Sequence, residues 1–179
     1  MKQILYVLGL AILLTGIFTS CKEDSLKAWH QDEVNALDKY VKENNLTRDA
    51  SGIYFKLLER SADTTKIRPN FKVMLYYTIT LMDSTIIFST GDEAGHNYEA
   101  DAFYVDVSNT VVNQSYVQQI AGMHLGLKKM HIGDRAFFVI PSELAFKAVD
   151  YSSTLGIPRF STLLVTVFAQ KGYTPEQWY

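Results

Sequence analysis

The chain has 179 residues, 47% of them apolar and 20% charged, with a formal net charge of −2 and one cysteine. No basic run exists, so nucleic acid is not an expected partner, and a lone cysteine excludes an internal disulfide. This ordinary composition predicts a packed core rather than disorder.

In chain order, Met1-Lys2-Gln3 gives a basic start, Ile4 to Leu14 an apolar run, and Thr15 to Ser20 a stretch of mostly small residues before Cys21. That pattern is a secretory signal, and its apolar run is shorter than the ~20 residues that span a bilayer as a helix. Phe18-Thr19-Ser20-Cys21 resembles the lipobox of bacterial lipoproteins, with Phe18 where the family prefers Leu. The resemblance implies cleavage before Cys21 and lipid on its sulfur, with the protein held on a membrane of the cell envelope, the outer membrane being the expected one. Several acyl chains make such anchoring stable, at about 0.8 kcal/mol per buried methylene. Lys22-Glu23-Asp24 resembles a surface-export signal of some lipoproteins and also fits a solvated tether.

Ser25 to Asn45 reads as a helix, with Trp29, Leu37, Tyr40 and Val41 as a partial apolar stripe and Asn44-Asn45 as its stop. Packing on its own domain or spacing it from the membrane is the favoured role, over a docking or dimerising helix. After Ser51-Gly52 the pattern turns to short β-rich runs: Ile53 to Leu58, then Phe71 to Leu81, where Val73, Leu75, Tyr77, Ile79 and Leu81 alternate with polar or smaller faces. Ser84 to Thr90 continues this after a turn. Gly91 to Asp101 is acidic and polar and reads as a loop. Phe103 to Val107 is a further strand. Tyr116 to Met130 carries Val117, Ile120, Met123, Leu127 and Met130 at helical spacing. Ile132-Gly133-Asp134 is a turn, Arg135 to Ile140 a strand ended by Pro141, Val149 to Phe160 a loop and Thr162 to Gln170 the last strand. The tail Tyr173 to Tyr179 receives no assignment. The expected fold is α+β, a curved antiparallel sheet wrapped over one helix. The expected divisions are a signal (1–20), a tether with its helix (21–50), the domain (51–171) and a tail (172–179).

Ile120-Ala121-Gly122-Met123 through Gly126, Met130 and Ile132-Gly133-Asp134-Arg135 resembles the central helix and following strand of the FKBP-type peptidyl-prolyl isomerases, in unbroken spacing. Ile140-Pro141-Ser142-Glu143-Leu144-Ala145-Phe146, Ile157-Pro158, Tyr77-Thr78 and the lead-in Ser51-Gly52-Ile53-Tyr54 resemble further parts of that family. Gly122 and Gly126 share a helix face, where close packing on a sheet tolerates no side chain. Gly133 suits a positive φ.

The resemblance implies an apolar pocket with Tyr77, Phe88, Ile120 and Phe146 in the catalytic set and Ile87, Phe103, Met123, Ile157 and Val165 lining it. Ile120 would offer a backbone N–H and Met123 the floor. Proline-containing peptides or exported proteins are the implied partners, and no cofactor is needed. The departures are specific. The acid expected after the second strand is missing from Ile87-Phe88-Ser89-Thr90, the floor Trp is Met123, the substrate-facing Tyr is Phe146, and a late aromatic is Val165. The resemblance therefore leaves two readings, a weakened isomerase or a non-catalytic binding module; a small-molecule-binding lipoprotein is a third. His30, His96, His124 and His131 lack a tight ligand motif and read as surface histidines, so no metal is expected. Asp92, Glu93, Glu99 and Asp101 lack EF-hand spacing and read as a solvated acidic loop.

Overall fold

The computed structural model describes residues 25–90, 100–106 and 115–177. The signal and Cys21, the acidic stretch 91–99, Val107 and Trp178 lie outside the described residues. Among the described residues no helix is long and apolar enough to cross a membrane.

Helix α1 covers residues 25–43. It stops where the sequence suggests. Asn45 takes a left-handed φ of 51°, while Leu46 N–H donates to Val41 O at 2.9 Å and Asn45 N–H to Lys42 O at 3.3 Å. This is the Schellman arrangement, in which a left-handed residue turns the chain back over the last carbonyls. The strands follow as β1 (Tyr54–Glu59), β2 (Lys72–Leu81), β3 (Ile86–Ser89), β4 (Asp101–Tyr104), β5 (Arg135–Ile140) and β6 (Leu163–Tyr173). Helix α2 (Ala121–Leu127) lies between β4 and β5, and a single turn α3 (Ser152–Leu155) between β5 and β6.

All pairings are antiparallel, in the order β1-β5-β6-β2-β3. β4 also pairs with β2, Val73 opposite Phe103 and Leu75 opposite Asp101, whereas β3 pairs further along, Thr78 opposite Ser89. β3 and β4 thus share one edge of β2, end to end. The alternation read in β2 is observed, with Val73, Leu75, Tyr77 and Ile79 buried.

The sheet has a use for both faces. One presents these four with Ala136, Phe138, Ile140, Val165 and Val167 to Met123 and Leu127 of α2. On the other, Leu37 and Val41 of α1 pack against Tyr54, Val139 and Leu164. Helix α1 is therefore docked on its own domain through Leu37, Val41 and the partly buried Tyr40, whereas Trp29 of the expected stripe is 49% exposed.

Several boundaries depart from the sequence reading. The helix expected over Tyr116–Met130 is broken. A 3-10 turn (Val117–Gln119) precedes α2, and Ile120 between them is extended, with φ −76° and ψ 103°. Apolar spacing alone does not register such a break. The strand expected from Phe103 begins earlier, at Asp101, because β2 offers it pairing partners. The loop Val149–Phe160 contains α3. β6 absorbs Tyr173 of the tail, and a 3-10 turn (Pro175–Gln177) follows.

Two glycines set the distance between α2 and the sheet. A Cβ at Gly122 would stand 2.9 Å or less from the side chain of Ile140, and one at Gly126 2.6 Å or less from the Phe138 ring. Gly133 takes φ 84° in the turn before β5. Its neighbour Asp134 is fully buried and accepts from Arg60 Nη1 (2.7 Å), Ser61 N–H (2.8 Å) and His131 N–H (2.7 Å), which pins that turn to the chain after β1. Gly126→Ala forces the well-packed Phe138 ring to move and is expected to cost about 2 kcal/mol, read as a lower midpoint in urea unfolding with an unchanged slope.

Candidate functional site

The nine pocket residues named from the sequence converge. Tyr77, Phe103, Ile120, Met123, Phe146, Ile157 and Val165 belong to one buried cluster, with Ile87 and Phe88 packed against it. They come from β2, β3, β4, the junction before α2, α2 itself, the turn after β5, the α3 loop and β6. A β-bulge explains how two consecutive residues reach the cluster. Ile79 faces Phe88 and Thr80 faces Ile86, so Ile87 is the extra residue on β3, and a bulge re-aims side chains in this way. Thr90 ties the end of β3 to β2. Its Oγ1 accepts the Tyr77 N–H at 2.8 Å and its N–H donates to Tyr77 O at 3.0 Å.

Met123 is fully buried, as are Ile120, Ile157 and Val165. Met123 is thus the base of a packed cluster rather than an open floor. Phe146 is 8% exposed and edges onto Tyr151 with ring centres 5.3 Å apart; Tyr151 in turn meets Tyr116 edge-on at 5.5 Å. Tyr116 and Tyr151, which the sequence reading did not single out, form an aromatic rim with Phe146. The N–H of Ile120, assigned by resemblance to a substrate carbonyl, donates to Val117 O at 3.2 Å. A substrate carbonyl has to share or displace that bond.

The missing acid is replaced from elsewhere. Phe88 and Ser89 indeed leave β3 without a carboxylate. Yet the Tyr77 hydroxyl donates to Asp101 Oδ2 at 2.6 Å, so a carboxylate from β4 completes the pair that β3 cannot. Asp101, expected at the end of a solvated acidic loop, is instead the first residue of β4, opposite Leu75, and it remains exposed there. Burial raises the Tyr77 pKa strongly, and the Asp101 hydrogen bond and charge raise it further. The phenol therefore stays protonated and keeps donating.

The histidines also differ from the expectation of solvated surface groups. His124 is only partly exposed and tilts against Phe103, ring centres 4.7 Å apart. Its Nδ1 accepts the Asp106 N–H at 2.9 Å, and its Nε2 lies 2.8 Å from Gln118 O. A carbonyl only accepts, so the proton sits on Nε2. Gln118 itself bridges to β4, accepting the Tyr104 N–H at 2.9 Å and donating back to Tyr104 O. His131 lies beside Asp134 and Arg60. His30 lies with Glu33 and Glu143, the set among the described residues able to offer three metal ligands. His96 is outside the described residues.

An antiparallel sheet closed over a short glycine-seated helix, with an aromatic-rimmed apolar cluster at the helix start, defines the class of fold. Residues 63–169 match the family described as FKBP-type peptidyl-prolyl cis-trans isomerase. The chain belongs to that family. No curated protein matches it. Among solved structures, it is similar to FkpA from Escherichia coli, with 22% identity and a TM-score of 0.64 over 85% of this chain and 64% of that one. The alignment therefore spans under two thirds of FkpA. A peptidyl-prolyl cis-trans isomerase from Pseudomonas syringae pv. tomato gives 19% identity and a TM-score of 0.62, over 83% of this chain and 96% of that one. The three FKBP domains of wheat FKBP73 give 21% and 0.57, over 72% and 50%.

Burial lowers the His124 pKa from 6.5, an effect that the Gln118 carbonyl and Asp106 partly offset. A depressed folded-state value means that the unfolded chain binds the proton more readily. His124 thus contributes stability fully above about pH 6.5, and that contribution falls as pH drops below it toward the folded-state pKa. Melting curves from about pH 7 to about 5.5 are expected to show a steeper loss of stability for the parent than for His124→Gln, which has no proton to take up.

Proposed function

We propose that this protein is an exported, lipid-anchored prolyl isomerase of reduced activity, acting on X-Pro bonds of exported proteins at the cell envelope. Twisting an amide out of plane breaks its resonance and costs ~18–20 kcal/mol. The twisted state is less charge-separated than the planar one, so apolar surroundings favour it relative to water. Such a site requires no nucleophile, metal or general base. The apolar cluster at the start of α2 has that character.

The observation that carries the reading is the Tyr77–Asp101 pair at 2.6 Å on the edge of the cluster. It fixes the phenol ring by a hydrogen bond to a charged acceptor, worth about 1.5–3 kcal/mol. Asp101→Asn is therefore expected to lower kcat/KM about tenfold, measured by exchange NMR on an X-Pro peptide. Phe146 supplies the ring but not the hydroxyl that the family places there, and Phe146→Tyr is expected to raise kcat/KM several-fold. A parent with no catalysis at high enzyme concentration overturns the isomerase reading.

A second reading, a non-catalytic module that binds peptides or proteins in the same cleft, is favoured by the engaged Ile120 N–H and by Phe146. It predicts peptide binding without acceleration of exchange. Export and anchoring rest on the residues up to Cys21. Labelled fatty acid is expected to enter the parent chain in a bacterial host and not Cys21→Ser.

A further inference from the structure

His30 and Glu33 lie one turn apart on α1, and Glu143 lies in the 3-10 turn Ser142–Leu144 that follows β5. One ligand atom from each falls within 4.8 Å of the others. His30 Nδ1 is 3.4 Å from Glu33 Oε2, and His30 Nε2 is 3.5 Å from Glu143 Oε1. Two donors on one tetrahedral zinc at ~2.1 Å stand about 3.4 Å apart.

Glu33 is 8% exposed. Its Oε1 accepts from the Ser142 N–H (3.1 Å) and from Thr162 Oγ1 (2.6 Å). Its Oε2 and the His30 Nδ1 are both shielded from solvent, and neither has a hydrogen-bond partner. A buried polar atom without a partner is costly. Here two such atoms, both suited to metal ligation, lie 3.4 Å apart, close enough to pair ionically when the imidazole is protonated or to share one cation when it is not. The orienting groups are also in place. The His30 ring stacks on Phe160 with centres 5.0 Å apart, and Thr162 fixes the Glu33 carboxylate, as outer partners fix metal ligands generally. Glu143 meets the other ring nitrogen, Nε2, and is 53% exposed; a cation held by Nδ1 and Glu33 therefore requires the Glu143 side chain to change rotamer to reach it, and water completes the coordination.

We propose that His30, Glu33 and Glu143 bind a divalent transition cation, zinc being the best fit, and that the cation clamps α1 to the segment leading into Phe146. One imidazole and two carboxylates suit zinc, whereas magnesium prefers an all-oxygen octahedron with several waters. The site is separate from the apolar cluster, and its existence does not depend on isomerase activity.

The test is calorimetric titration of zinc chloride into the full chain in detergent, carrying Cys21→Ser so that no thiol competes. One site is expected, with a raised melting temperature on zinc and none on magnesium. Glu143→Gln, at an exposed position, and His30→Gln are each expected to weaken binding at least about tenfold while circular dichroism stays unchanged. Absence of zinc binding in the parent, or binding equally tight in both variants, overturns the proposal. So does an NMR titration in which added zinc leaves the His30 ring resonances unmoved.

Discussion

Helix α2 sits on β5 so closely that no side chain fits at two of its positions. The space a Cβ would need at Gly122 is taken by Ile140, and at Gly126 by the Phe138 ring. Dense packing of this kind tolerates little displacement. It fixes the height of α2 over the sheet, and with it the positions of Met123 and Leu127. The extended Ile120 enters from there, and the apolar cluster closes around it. The packing of the apolar cluster is set from this contact.

The second organising feature is how β2 is shared. One edge runs along nearly all of β6, while the other is divided between β3 and β4. That division brings Asp101 level with Leu75, two residues from Tyr77, so a carboxylate reaches the phenol even though β3 has lost its own. The acid that meets the phenol here comes from β4, which lies end to end with β3 along the same edge of β2. Position in the chain is thus a poor guide to this residue, and position in the sheet a good one.

Features that repeat locally were legible in the sequence. The period of two in β2, the Asn44-Asn45 stop, the glycine pair of α2 and the Gly133 turn each follow from short-range geometry, and each is observed. That the nine residues assigned to a pocket by resemblance would all meet in or against the one core needed long-range pairing, which periodicity lacks. What stayed hidden depends on distant segments meeting. Asp101 looked like one more acid in a polar stretch. The break at Ile120 leaves the apolar spacing intact. His30 and Glu143 are brought together only when α1 docks, and His124 is shielded only because Gln118 and Asp106 close over it.

The docking of α1 also ties the start of the helix to the loop that contributes to the aromatic rim. The early part of the helix lies beside the α3 loop, with the Trp29 ring 4.7 Å from the Arg159 guanidinium and His30 on Phe160. The same loop carries Tyr151, part of the aromatic rim. The start of α1 is thus strapped to the loop that contributes to the rim, while Leu37 and Val41 hold its later turns on the sheet, so the helix is part of the domain body instead of a swivel.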